Sequence, residues 1–232
     1  LAPETNYNTL RAMAAAYVDI KRYDNGLKAL ETALELAKRA DLPLEEARTL
    51  RDIGHLHLRE RRHPEAIKAW TQAVDLYEGK NIYSQAARLL CDIAGARLQL
   101  GQTTRAYKDY EQALMLVNGA DDITTRGVVL SNAAMVYVEK GDLETAEAFF
   151  TEAIQIAQKT HDAPAEATRR GNFGWFLLNT GRYERAQTAL QFALELSERL
   201  NLRLQVAVQT GNLAQTASEL GDDDAAAKLH LR

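Results

Sequence analysis

Residues 174–193 read GWFLLNTGRYERAQTALQFA, and residues 134–153, which lie 40 positions earlier, read AMVYVEKGDLETAEAFFTEA. Each segment begins with a small residue and has Gly seven positions later and Ala twelve and nineteen positions later. A large apolar residue stands sixteen positions after the start of each segment. The small residues recur every 40 positions through the whole chain without an insertion. A fixed period of this length is typical of proteins built from repeated structural units.

Small residues fill three columns when the chain is written in rows of 40. All 17 positions hold Ala or Gly, although the chain has only 38 Ala and 13 Gly among 232 residues. The columns are Ala14, Gly54, Ala94, Ala134, Gly174 and Ala214; Gly26, Ala66, Ala106, Ala146, Ala186 and Ala226; and Ala33, Ala73, Ala113, Ala153 and Ala193. Small side chains let two helices approach to the short end of the usual range of about 8–10 Å. Large residues four positions after the second column are expected to fill the remaining space, at Leu30, Trp70, Tyr110, Phe150 and Leu190.

Apolar stripes and turn signals predict two helices in each repeat. The predicted helices are 5–20, 24–39, 43–60, 64–79, 83–100, 104–118, 123–140, 144–160, 164–180, 184–200 and 204–220, with a partial twelfth that begins near Asp222. Glycines that tolerate left-handed dihedrals stand within four of the pairs, at Gly101, Gly141, Gly181 and Gly221. Lys21 and Arg61 replace them in the first two pairs, so those turns are expected to close differently. Polar residues between pairs are expected to end one helix or cap the next, at Asp41, Asn81, Asp121, His161 and Asn201.

This arrangement of small columns and intervening large residues resembles the tetratricopeptide repeat. Asn172-Phe173-Gly174 and Asn212-Leu213-Ala214 are similar to the Asn-Leu-Gly motif of its long-helix members. The repeat spacing of 40 residues is longer than the commoner one of about 34 residues. This longer variant resembles the repeats of kinesin light chains, of polarity adaptors that bind GoLoco partners, and of the sensor domains of MalT-like bacterial regulators. The resemblance implies an all-α, right-handed superhelical solenoid of antiparallel helix pairs. We expect one domain over residues 1–232, with five full pairs and an incomplete sixth, cut from a longer chain because the sequence opens at Leu1 and stops inside a predicted helix.

Composition argues against several other classes of function. The formal net charge is only −4, whereas nonspecific nucleic-acid binding requires a basic surface. No apolar run reaches the roughly 18 residues that a membrane span needs, and no signal-peptide pattern is present. The single Cys91 excludes an internal disulfide framework and fits a reducing compartment, so we expect a cytoplasmic protein without membrane insertion. His55 and His57 point to different helix faces and no catalytic signature is present, so no enzyme activity, cofactor or metal site is predicted.

The resemblance implies a concave groove along the first helix of each pair. The residues expected to line it are Arg11, Arg48, Arg51, Asp52, Arg88, Asp92, Asn132, Met135, Asn172, Trp175 and Asn212. An amide side chain offers both the donor and the acceptor that a peptide unit needs, so the Asn column is expected to hold an extended backbone. The arginines are expected to attract acidic side chains. Asp52 and Asp92 would repel the terminal carboxylate that chaperone-binding members of the family hold, so we do not predict that activity.

We therefore expect an adaptor or scaffold that binds a partner protein or an extended peptide. The alternative is a sensor or oligomerisation domain of a bacterial signalling or transcription regulator. In either case a second copy of the chain is a further candidate partner. An attached DNA-binding or nucleotide-binding segment in the full-length protein would favour the regulator.

Overall fold

A computed structural model describes residues 3–118 and 122–230, and these two ranges contain twelve helices and no strands. The helices are α1 (Pro3–Asp19), α2 (Tyr23–Arg39), α3 (Pro43–Arg59), α4 (His63–Glu78), α5 (Tyr83–Gln99), α6 (Thr103–Asn118), α7 (Ile123–Lys140), α8 (Leu143–Lys159), α9 (Ala163–Asn179), α10 (Tyr183–Arg199), α11 (Arg203–Glu219) and α12 (Asp223–His230). Every predicted boundary lies within two residues of the observed one. The all-α fold of consecutive helix pairs is confirmed. No helix within the two described ranges is long and apolar enough to cross a membrane.

The turns inside the helix pairs all close in the same way. Lys21 and Arg61 each have a φ of 59°, which lies in the same left-handed region as the 70° of Gly101. The amide that follows Arg61 donates back to the helix, from Arg62 N to His57 O at 2.9 Å. The expectation that these two turns differ is therefore wrong. The helix-ending hydrogen bonds hold the left-handed conformation there, although it costs a non-glycine residue about 1–2 kcal/mol.

Polar residues between the pairs end the preceding helix. They too have left-handed dihedrals: 52° at Asp41, 58° at Asn81, 54° at His161 and 56° at Asn201. Asp121 lies outside the described residues. Aspartates directly before a helix provide the side-chain caps. Asp162, for example, accepts a hydrogen bond from the backbone N–H of Ala165 at 3.0 Å.

All three columns of small residues are buried, as the repeat predicts. Trp70 of α4 packs so closely on Gly54 of α3 that a Cβ at Gly54 would lie within 3.0 Å of three indole atoms. Leu190 of α10 packs on Gly174 of α9 in the same manner, with a hypothetical Cβ only 2.5 Å from Leu190 Cγ. Both large side chains are 0 % exposed. The large residues therefore fill the space that the small ones leave, as predicted.

The chain divides into two compact units, Leu1–Thr125 and Arg126–Arg232. In the first unit each helix from α1 to α6 packs against the next, and Trp70 is among its largest fully buried side chains. In the second unit each helix from α8 to α12 packs against the next. Phe150 and Phe176 are both 0 % exposed in its core, with ring centroids 5.4 Å apart. A single domain over residues 1–232 stays a prediction.

Candidate functional site

In the first unit, the predicted groove residues of α1 and α3 form one ion-pair network. Arg11 donates from Nε to Asp52 Oδ2 at 2.7 Å, and Arg51 donates to the other oxygen of that carboxylate at 3.0 Å. Arg48 pairs with Glu45 at 2.6 Å, and Glu45 also lies 3.8 Å from Arg11. Three arginines thus meet two carboxylates, which leaves one net positive charge. Arg48 is the most exposed of the five, at 45 % of its side chain.

The predicted groove residues of α5, Arg88 and Asp92, have different surroundings. Arg88 donates from Nε to Thr125 Oγ1 at 3.2 Å, and the Thr125 hydroxyl donates to Asp122 at 2.6 Å. Asp122 also accepts the amide of Thr125 at 2.9 Å and so caps α7. Asp92 is exposed and makes no ion pair within the described residues. Nearby protein atoms nevertheless desolvate its carboxyl group and raise the pKa of Asp92 to about 6, although the charge of Arg88 lowers it.

We predict that Asp92 titrates with a midpoint near pH 6 and that Arg88→Gln raises this midpoint further, because it removes the neighbouring positive charge. The folded state holds this proton more tightly than the unfolded chain does. Ionisation of Asp92 therefore opposes folding increasingly as the pH rises from about 4 to about 6. Carboxyl ¹³C NMR titration measures the midpoint, and Arg105→Gln on the exposed face of α6 is the matched control. A midpoint near 4 in the wild-type protein would contradict the desolvation of this group.

In the second unit, three amides occupy equivalent positions on α7, α9 and α11. Asn132, Asn172 and Asn212 are half-buried, and their side chains make no hydrogen bond within the described part of the chain. Met135 and Trp175 are half-buried as well and pack against the apolar core of this unit. The amides therefore keep donors and acceptors that no described residue uses.

A cavity of about 370 Å³ opens beside these amides and is lined by α7, the start of α9, and α11. Asn132 and Asn172 both line it, together with Ser131, Thr168 and Gln205. Asn212 does not line it. The structure thus brings two of the three predicted amides to one cavity, whose lining also includes Val128, Pro164 and Ala165.

Arg169 lines the same cavity and is absent from the predicted groove. It is only 4 % exposed, and its Nη1 donates to the carbonyl of Ala153 on α8 at 2.8 Å. Its guanidinium lies against Gly127 of α7, where a Cβ would be 2.6 Å from Nη1. Burial lowers the pKa of Arg169, and the charge of Asp162 opposes this shift.

A signal for Arg169 does exist in the sequence. In rows of 40 residues its column holds no other charged residue: Thr9, Thr49, Leu89, Val129, Arg169 and Gln209. Thr9 is exposed, but the other four uncharged residues of this column are buried, so an arginine there departs from the packing pattern. A charge at a core position usually has a partner or a function.

A second cavity, of about 600 Å³, lies between α8, α9 and α10. Its lining is mainly apolar and includes Ile154, Phe173 and Phe192. The guanidinium of Arg170 lies 4.0 Å from the centre of the Phe192 ring. None of the predicted groove residues lines this cavity.

The repeats match the sequence model of the tetratricopeptide repeat over residues 6–79, 85–159 and 125–199. The chain belongs to the tetratricopeptide repeat family. No curated protein sequence matches it.

Several solved structures of tetratricopeptide-like proteins are similar to this one. A Rap protein complexed with competence and sporulation factor has a TM-score of 0.74 and 14 % identity, over 100 % of this chain and 74 % of that one. Repeats of a putative kinesin light chain from Podospora anserina have a TM-score of 0.67 and 14 % identity, over 84 % of this chain and 95 % of that one. A signal transduction ATPase with a tetratricopeptide repeat sensor, from Pyrococcus horikoshii, has a TM-score of 0.81 and 13 % identity, over 100 % of this chain and 36 % of that one. The resemblance to kinesin light chains and to regulator sensors is thus confirmed for the fold.

Proposed function

We propose that this chain is a protein-interaction scaffold that holds an extended peptide segment of a partner along Asn132, Asn172 and Asn212. The observation that carries the proposal is that three half-buried amides occupy equivalent positions on successive first helices and make no hydrogen bond to any residue that the structure describes. Helices spaced about 10 Å apart and an extended chain that rises about 3.3 Å per residue let one amide meet every third peptide unit. Membership of the tetratricopeptide repeat family supports a role in binding other proteins.

The charged residues of the first unit serve the same function in this proposal. Arg48 is the exposed cation, and Arg88 is held at the surface of α5 by Thr125. Both are proposed to contact acidic side chains of a partner. Asp92, ionised above about pH 6, is proposed to contact a basic one. Arg11, Arg51 and Asp52 already pair with one another, so their proposed role is to form a polar surface for the partner rather than to supply a free charge.

We predict that Asn172→Ala weakens peptide binding by about 1–3 kcal/mol, because a peptide N–H or C=O is left without its partner in the complex. Peptides selected from a random phage-displayed 12-mer library on the immobilised protein provide the ligands, and titration calorimetry measures their affinity. Gln191→Ala is the matched control, since Gln191 is an exposed amide on the second helix of its pair. We expect a loss for Asn172→Ala and no change for Gln191→Ala.

Two results would overturn this proposal. One is that no peptide is selected under conditions in which the protein is folded. The other is that selected peptides bind equally well to the wild type and to a variant with all three amides replaced by Ala. The partner would then contact another surface, such as the apolar cavity between α8, α9 and α10.

A sensor or oligomerisation domain of a signalling regulator is the second candidate function. The observation that favours it is the TM-score of 0.81 with the protein that carries a tetratricopeptide repeat sensor. Light scattering across a wide range of protein concentrations tests the oligomerisation role. A mass that stays at one chain, 25.8 kDa, at all concentrations would oppose it.

A further inference from the structure

Arg169 is a buried cation, only 4 % exposed. It forms no ion pair with any carboxylate of the described residues, and Asp162 acts on it only through its charge at longer range. Its hydrogen bond to Ala153 O uses Nη1 and leaves Nε and Nη2 without a partner in the same part of the chain. A buried guanidinium is costly unless its charge is balanced and its donors are satisfied. Within residues 3–118 and 122–230, no side chain neutralises this charge by direct contact.

The two unused donor groups face the 370 Å³ cavity. Arg169 lines this cavity. Its Nε and Nη2 have no hydrogen-bond partner among the described residues, and neither atom is fully enclosed by protein. The guanidinium is fixed on its other sides, by Gly127 beneath it and by the carbonyl of Ala153. Its planar pair of donors is consequently held open toward the cavity, which is the arrangement that binds a carboxylate with two parallel hydrogen bonds.

Beside Arg169 and the apolar residues Val128, Pro164 and Ala165, the lining includes neutral hydrogen-bonding groups and one acid. Asn132 and Asn172 supply amide donors, and Ser131 and Thr168 supply hydroxyl groups. Asp162 also lines the cavity, where its Oδ1 is occupied by the capping bond from Ala165 N. Its charge attracts Arg169 without reaching ion-pair distance. The negative charge of Asp162 repels an anion, and it repels a dianion such as phosphate more than a singly charged carboxylate. With only one arginine to offset this repulsion, the site suits a singly charged carboxylate.

We propose that this cavity binds a carboxylate of the partner, with Arg169 as its charged receptor and Asn132 and Asn172 as neutral donors. The identity of the ligand as part of a partner rests on the proposed scaffold function. The carboxylate chemistry rests on Arg169 and the cavity alone. The carboxylate group belongs either to an Asp or Glu side chain of the partner or to its chain terminus, and the choice of probes separates these two sources.

The test is an NMR titration of the whole chain with three small probes at equal ionic strength. N-acetylglutamate α-amide carries a side-chain carboxylate, N-acetylglutamine carries a terminal one, and N-acetylglutamine amide carries none. We expect saturable shifts of the Arg169 Nε–Hε signal and of the Asn132 and Asn172 side-chain amides in the millimolar range with one or both carboxylate probes. The neutral probe is expected to cause none. Equal shifts with all three probes, or no shift with any, would overturn the proposal.

Two variants keep Arg169 in place and change the charge around it. Asp162→Asn retains a good helix-capping side chain and removes the opposing charge, so it is expected to tighten carboxylate binding about fivefold. Asn172→Asp adds a negative charge to the cavity wall and is expected to weaken binding by a similar factor. Arg169→Gln is expected to abolish binding, and its circular dichroism spectrum shows whether the fold persists. Unchanged affinity in both Asp162→Asn and Asn172→Asp would contradict the assigned site.

The results also separate this inference from the scaffold proposal. If library peptides bind through the amide column but Glu-to-Gln exchanges in them have no effect, the carboxylate site is wrong and the scaffold stands. If the carboxylate probes bind at Arg169 but no peptide is selected, the site is correct and the extended-peptide proposal fails.

Discussion

Replacing Phe150 by Ala is expected to lower the free energy of unfolding by about 3–5 kcal/mol, the usual cost of removing a buried aromatic ring. Phe150 is 0 % exposed, and its ring centroid lies 5.4 Å from that of Phe176 and 6.0 Å from that of Phe173. The ring lies in the core of the second unit, so its loss leaves a cavity between helices that a shift of one side chain does not fill. Urea unfolding followed by circular dichroism measures the effect.

The location of this loss is as informative as its size. In a repeat protein each repeat contacts mainly its neighbours, so stability is close to a sum over adjacent repeats. Hydrogen exchange followed by mass spectrometry is therefore expected to show faster exchange in α8, α9 and α10 and unchanged exchange in α1 to α4. Phe192→Ala is the matched control, because Phe192 is 45 % exposed and its removal is expected to cost well under half as much. Equal acceleration along the whole chain would contradict the nearest-neighbour account.

The helix pairs were predictable because the small residues have one physical role in every repeat. Gly174 and Gly54 both lie directly under a large side chain of the next helix. Because such positions mark where two helices pack, their 40-residue recurrence also predicts where the helices of each pair lie. The turns at Lys21 and Arg61 were mispredicted for a related reason. From the sequence, a left-handed backbone conformation at Lys21 or Arg61 looks unfavourable because neither residue is a glycine. The hydrogen bonds that compensate for its energy are visible only in the structure.

The candidate site was predictable only as a face of each first helix. Periodicity places Arg51 and Asp52 on or near that face, but it does not show that they pair with each other and with Arg11. The position of Arg169 depends on three helices at once, since its guanidinium contacts Gly127 of α7 and Ala153 of α8 from α9. One-dimensional patterns describe neighbours within a helix well. They do not describe a side chain that crosses between helices.

Gly54→Ala is expected to destabilise the protein by about 2 kcal/mol or more, although Ala is the better helix former by about 1 kcal/mol. The added Cβ would lie within 3.0 Å of three atoms of the Trp70 indole. Trp70 is 0 % exposed, and its Nε1 donates to Arg51 O at 3.1 Å, so the ring has no free space into which to move. Overpacking of this kind outweighs the gain in helix propensity. Gly95→Ala is the control: nothing lies within 4 Å of the added atom, and it is expected to stabilise by about 0.5–1 kcal/mol.

A second substitution is expected to relieve this clash, and the chain itself provides the template. Two repeats further on, the positions of Gly54 and Trp70 are occupied by Ala134 and Phe150, both 0 % exposed. Gly54→Ala combined with Trp70→Phe recreates that pair, so we expect it to be about 1–2 kcal/mol more stable than Gly54→Ala alone. Trp70→Phe by itself is expected to destabilise, because it leaves a gap over Gly54. The four-protein cycle, measured by urea unfolding, should give a favourable coupling of about 1–3 kcal/mol. Strict additivity would mean that the indole and Gly54 are not in contact, and the packing of the large residues on the small columns would have to be abandoned.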